Sequence, residues 1–215
     1  MERQFILNDF HTWYDWRLIL TAKSVIPPEP KTNYVDIDGM DGTLDLSEAL
    51  TGGITYSDRI ITATFWTDEG TRADRERLIS QIVAALHGKK IEIIEPDDIA
   101  HYFVGRVKIK STTNIIPYAE IAIEATCEPW RYARDESTRL INPSGGTVDV
   151  VIYNHGVKTV SPIVTVSDAP IIIGNNTELA VGSYRLPDLR LHSGVNTVRV
   201  SGNGSVTFTY READL

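Results

Sequence analysis

KTNYVDIDGMDGTLDLSEALTGGITYSDR, residues 31–59, is where this chain declares itself. It follows the stiff run Val25-Ile-Pro-Pro-Glu-Pro30. Two readings compete for it. Its acids, Asp36, Asp38, Asp41, Asp45 and Glu48, point to a metal or catalytic site. Its interleaved Val35, Ile37, Leu44 and Leu46 point to an extended arm that packs on another surface. Pro27, Pro28 and Pro30 fix φ and press the preceding residues into extended conformations. Asp38-Gly39 and Asp41-Gly42 are turn signals.

The acidic reading fails on spacing. An EF-hand loop begun at Asp36 puts Asp38 at its third position but Met40, which cannot ligate calcium, at its fifth. Asp41 then falls where Gly is required, and Ser47 where a bidentate Glu belongs. Asp97-Asp98 and the 36–48 cluster are the paired carboxylates available for glycoside hydrolysis, but 29 acids make such pairs commonplace. His11, His87, His101, His155 and His192 show no metal-ligand spacing, and neither a nucleophile elbow nor a phosphate-cradling loop occurs. We expect no catalytic residue, metal or cofactor.

The chain has 215 residues and is 42% hydrophobic, enough for one large or two small cores. Its net charge of −8 argues against general nucleic-acid binding, which needs cationic surface. Cys127 is the one cysteine, so no intrachain disulfide is possible; it falls in a strand pattern and reads as a buried apolar residue. No apolar run approaches the roughly 20 residues of a membrane span, and no secretory segment is visible. Folding in a reducing cytoplasm, with no membrane partner, is the expectation.

Outward from the arm, Phe5–Leu7 and Trp13–Leu20 read as strands on aromatic and β-branched content. Arg59–Thr67 alternates as a strand. Thr71 is a helix N-cap with Asp74 at capping-box spacing, Leu78, Ile79, Ile82, Val83 and Leu86 form one apolar stripe, and Gly88 is the stop. Arg72, Arg75, Glu76 and Arg77 read as its solvated face. Strands follow at 89–95, 102–110 and 118–127, the last two alternating as antiparallel strands do when one face is wet.

Composition turns polar over 131–146, and the boundary is set there: 1–138 as one domain, its arm at about 25–53, and 139–215 as another. Beyond it, short strands are expected at 147–153, 160–166, 171–173, 178–181, 189–191, 197–200 and 205–210, with turns at 154–156, 174–176 and 193–194. Gly202-Asn203-Gly204 reads as a hairpin turn. The fold class is mainly β: an antiparallel sandwich or split barrel with one packed helix, then a small β-sandwich. The four tryptophans, 13, 16, 66 and 130, all precede that sandwich, which argues against a lectin-like platform on it.

The order of these segments carries a family likeness. Trp16-Arg-Leu-Ile-Leu20, the Pro-rich run, Val35-Asp-Ile-Asp-Gly-Met-Asp-Gly-Thr-Leu-Asp-Leu46, Glu48-Ala-Leu-Thr-Gly52 and Tyr56-Ser-Asp-Arg59 resemble the distal tail protein (Dit) of long-tailed, non-contractile phages, especially those of Gram-positive hosts. Asp38 and Ser47 stand where that family commonly has Pro and Thr. The run Gly194–Glu212 looks like its ending. The resemblance implies a non-enzymatic structural hub. Six copies form a ring, paired back to back in isolation, beneath the tail tube protein and above the tail-associated hub or lysin protein. A galectin-like or carbohydrate-module-like sandwich projects outward, and receptor-binding protein is often carried. It implies a place at the virion tail tip after assembly in the host cytoplasm. The subunit interface is expected at Tyr34, Val35, Asp36, Ile37, Leu44 and Leu46. The 1–140 balance of 16 bases to 23 acids, net −7, suits a lumen through which DNA passes without sticking. A carbohydrate-binding module and a carboxylate hydrolase are the other classes considered.

Overall fold

The structure, a computed structural model, describes residues 4–174 and 177–215. The chain forms two compact units, which divide between residues 131 and 132. The sequence boundary at 138/139 falls inside a strand of the second unit, Ser137–Ile141.

In the first unit the strands are β1 (Ile6–Leu7), β2 (Phe10–His11), β3 (Ile19–Val25), β4 (Tyr34–Asp36), β5 (Thr43–Asp45), β6 (Arg59–Thr67), β7 (Lys90–Glu95), β8 (Asp98–Asn114) and β9 (Ala119–Ala133). Helix α1 (Arg72–Leu86) lies between β6 and β7 in sequence. The main sheet runs β2-β1-β7-β8-β9-β6-β3, and β4 and β5 pair only with each other. Strict alternation in β6 buries Ile61, Ala63 and Phe65, as the sequence pattern requires. Their faces meet Ile79, Ile82 and Leu86 of α1 in one core. Thr71 and Asp74 close the expected capping box, the Asp74 amide donating to Thr71 Oγ1 at 3.2 Å and the Thr71 amide to Asp74 Oδ2 at 2.9 Å. The Thr71 hydroxyl also donates to Asp74 Oδ2 at 2.6 Å, and this bond and the one from the Thr71 amide, ahead of nearby Arg77 and Arg75, hold the Asp74 carboxyl below its ordinary range.

Two local expectations need correction. Trp13–Trp16 is a turn, not a strand. Asp15 accepts the His11 amide at 2.7 Å, the Arg17 amide donates to the Trp13 carbonyl at 3.0 Å, and Arg17 has φ of 51°. Short polar side chains offer the backbone such alternatives to a sheet ladder. Trp16 folds back to stack on Phe10, with ring centroids 4.9 Å apart. Arg75, expected on a solvated face, is buried. It donates to the Gly70 carbonyl at 2.8 Å and the Asn114 side-chain oxygen at 3.3 Å, joining α1 to the end of β8.

The second unit holds β10 (Ser137–Ile141), β11 (Thr147–Asn154), β12 (Ile163–Ser167), β13 (Ile171–Ile173), β14 (Thr177–Leu179), β15 (Gly182–Arg185), β16 (Gly194–Gly202), β17 (Ser205–Tyr210) and β18 (Ala213–Asp214). Two four-stranded sheets, β10-β17-β12-β15 and β11-β16-β13-β14, face each other across a core that includes Val164, Val200, Val206 and Phe208. This is the expected sandwich. The 189–191 segment makes only an isolated bridge, Leu191 to Val160. The turn expected at 174–176 lies partly outside the described residues. Gly202-Asn203-Gly204 is not a hairpin: β16 belongs to one sheet and β17 to the other, so these residues make the corner between them.

Asn154 is fully buried at the end of β11. Its amide donates to the Lys158 and Leu191 carbonyls at 2.9 and 3.1 Å, and its oxygen accepts the Gly156 amide at 3.1 Å. An Ala there strands three backbone groups without water, so Asn154→Ala lowers stability by about 2 kcal/mol in urea titrations.

Candidate functional site

The arm is a two-tier hairpin leaving the β3–β6 ladder. Its legs run side by side: the Ile26 amide donates to Ile60, Ser57 to Glu29 and Lys31 to Thr55, all at 2.8 to 3.0 Å. Beyond them β4 and β5 pair in register, Val35 opposite Leu44. Gly39 and Gly42, with φ of 83° and 76°, make the reversals between, as the Asp-Gly pairs predict.

Asp45 does local work. It accepts the Ser47 amide at 2.9 Å and its hydroxyl at 2.5 Å, and these bonds hold its carboxyl below the ordinary range. Ser47 Oγ accepts the Asn33 amide at 2.8 Å, so the pair pins the hairpin base. Among the described residues no three His, Cys, Asp or Glu side chains come together as a metal site. Asp97 pairs with Lys23 at 2.8 Å, while Asp98 takes His101 and Arg131 at 2.8 and 3.1 Å. Burial opposes the Lys23 charge, but Asp97 and Glu95 outweigh it and its pKa lies above the ordinary value.

Every residue from 31 to 46 is exposed, although the segment carries Tyr34, Val35, Ile37, Met40, Leu44 and Leu46. Asp36, the sixth expected interface residue, is exposed with them. A lone two-stranded ribbon is marginal in water, and contiguous apolar exposure marks a surface that something covers. Ile26 and Leu50 lie inside the expected arm and Ile54 just past it, but none is among the six expected interface residues, although Leu50 is 99% exposed. The signal was present in Glu48-Ala-Leu-Thr-Gly52, where an apolar residue stands among turn formers.

Sequence reasoning missed how the root is held. Arg59 is buried, donates from Nε and Nη2 to the Pro129 carbonyl at 3.1 and 2.8 Å, and lies 4.9 Å over the Phe103 ring. Burial lowers its pKa. Tyr56 packs edge-on to Trp130, with centroids 5.8 Å apart. The Tyr56-Ser-Asp-Arg59 string thus fastens the returning leg to β9.

Beside this root Cys127 is buried against Gly105, where a Cβ would stand 2.3 Å from its Sγ. Burial pushes the thiol up to about 12 from an ordinary 9.0, against the pull of Arg59. In the unfolded chain it ionises near 9, so the native state binds the proton more firmly and its contribution fades as pH climbs from 9 toward 12. Cys127 is expected to resist thiol reagents at pH 8 until urea unfolds the protein. Cys127→Ala is expected to flatten the fall of the urea midpoint between pH 8 and 10.5.

Among solved structures, the chain is similar to the Dit protein of phage SPP1, described as a paradigm of the hub adsorption apparatus in phages that infect Gram-positive bacteria: TM-score 0.73, 13% identity, over 98% of this chain and 99% of that one. The Dit resemblance seen at residues 31–59 is borne out as a fold that spans both units. No protein-family model and no curated protein matches the chain.

Proposed function

We propose that this chain is the distal tail protein of a long-tailed, non-contractile phage of a Gram-positive host. Six copies close head to tail into a ring at the virion tail tip, after assembly in the host cytoplasm. The ring continues the tail tube above, meets the tail-associated hub protein below and carries the adhesion apparatus. Its role is structural and not enzymatic. The observation that carries this reading is the 31–46 hairpin, exposed along its whole length with its apolar face, on a chain of Dit fold. Heterologous contacts close a ring when the rotation between neighbours closes. Light scattering on the purified chain is expected to find an assembly of six 24.0 kDa copies, or two such rings together. A mass fixed at one copy across a hundredfold concentration range would refute the ring.

A second reading is sugar binding by the second unit. Tyr153 stacks on His155, with centroids 5.2 Å apart, and both are exposed; Val195 stands opposite Tyr153 across the β11–β16 ladder. Such a flat rim can stack on the apolar face of a pyranose. Glycan-array binding lost in Tyr153→Ala would support it, and an array with no signal would remove it.

A further inference from the structure

We infer that the seat for each arm is a cleft on the first unit of the neighbouring copy, beside that copy's own arm root. This rests on the arm being the subunit contact and names the surface it contacts. The cleft, about 660 Å³, crosses β7, β8 and β9. Lys90, Arg106 and Lys108 bring bases to it, with Asp58 and Glu128 the acids. Glu128 is already held by Lys90 at 2.7 Å. Arg106 donates to the Gly88 carbonyl and is exposed. Lys108 is exposed and enters no ion pair among the described residues. The free charge of the cleft is therefore positive.

The arm is its complement. Residues 32–54 carry five acids and no base. Asp45 is committed to Ser47, which leaves Asp36, Asp38, Asp41 and Glu48 facing water. The apolar requirement is matched as well, by Val104 and the aliphatic stems of Arg106 and Lys108. No arm residue of the same chain lines the cleft apart from Asp58 at the root. A second copy's hairpin fits it in charge and in polarity. Because Asp58 borders the cleft, an occupied seat lies next to the returning leg of the following arm, and the contacts run on as a belt. Complementary charge of this kind sets register and orientation between partners.

The test is charge reversal, read by light scattering with circular dichroism as the check on folding. Arg106→Glu with Lys108→Glu is expected to leave single copies, and so is Asp36→Lys with Asp41→Lys. The four changes in one chain are expected to restore the assembly. Lys108→Ala, which removes one exposed charge, is expected to weaken association severalfold and to keep the fold. Reversal in the cleft that leaves the assembly intact, while removal of the arm destroys it, overturns this seat and spares the arm. Loss of assembly in both pairs with no recovery in the four-site chain also overturns the pairing. An assembly that survives removal of the arm overturns both.

Discussion

Replacing residues 32–54 by an Asn-Gly turn is expected to leave a well-folded chain that no longer associates. The excision point follows from the legs. The Lys31 amide donates to the Thr55 carbonyl at 2.8 Å, so those residues are already neighbours and a two-residue turn can join them. None of residues 32–54 belongs to the core of the first unit, to which β1, β3 and β6–β9 contribute with α1. Unfolding free energy should therefore move by no more than about 1 kcal/mol, the scale of surface changes away from packing. Self-association should vanish, because the segment removed holds Tyr34, Val35, Ile37, Leu44 and Leu46, which the chain itself leaves exposed. A large drop in stability would mean that the arm packs on its own subunit. Undiminished association would put the interface elsewhere.

Gly204→Ala is expected to unfold the second unit selectively. A Cβ at Gly204 would stand 1.9 Å from the Ala169 carbonyl oxygen and 2.9 Å from that of Ser167. Both are backbone atoms, so no flexible side chain can yield. The position is the corner where the chain passes from β16 in one sheet to β17 in the other, so any shift there pulls the two sheets out of register. We expect a loss of about 3 kcal/mol or more, at the upper end for overpacked sites. All four tryptophans precede the second unit, so their fluorescence follows the first. The tryptophan transition in urea should stay where it is, while amide protection in β10–β17 is lost. A second unit with full protection would show that the corner relaxes more cheaply than its geometry allows.

How far the sequence could be read depended on whether the signal was local. β6, β13 and β17 run over the residues expected for them from apolar pattern and flanking turns, and α1 begins after Thr71 because the capping box needs only neighbours. The Dit-like string showed the fold because successive turns and an apolar alternation leave a distinctive order of residues. Other features needed partners distant in sequence, or turned on a local side-chain bond that composition does not announce. Arg75 looks like one charge in a surface run until β8 supplies Asn114. Gly202-Asn203-Gly204 has the chemistry of a hairpin, and only the pairing of β16 with β11 and of β17 with β10 makes it a corner. Trp13–Trp16 has strand composition, but Asp15 bonded to His11 wins the backbone for a turn. In the candidate site the apolar residues of the hairpin were legible. The grip of Arg59 on Pro129 was not, since the two are 70 residues apart. Nor was the role of Asp45, which turned on its bonds to Ser47 and not on charge.

The central claim, that identical copies clasp one another through the 31–46 hairpin, is tested most directly by averaged electron cryomicroscopy of the assembled protein at a resolution that traces the backbone. The account predicts a closed ring in which each hairpin crosses to the next subunit and covers Val35, Ile37, Leu44 and Leu46 there. A map in which every hairpin folds onto the subunit that bears it, or in which copies meet through surfaces that leave the hairpin bare, would contradict it.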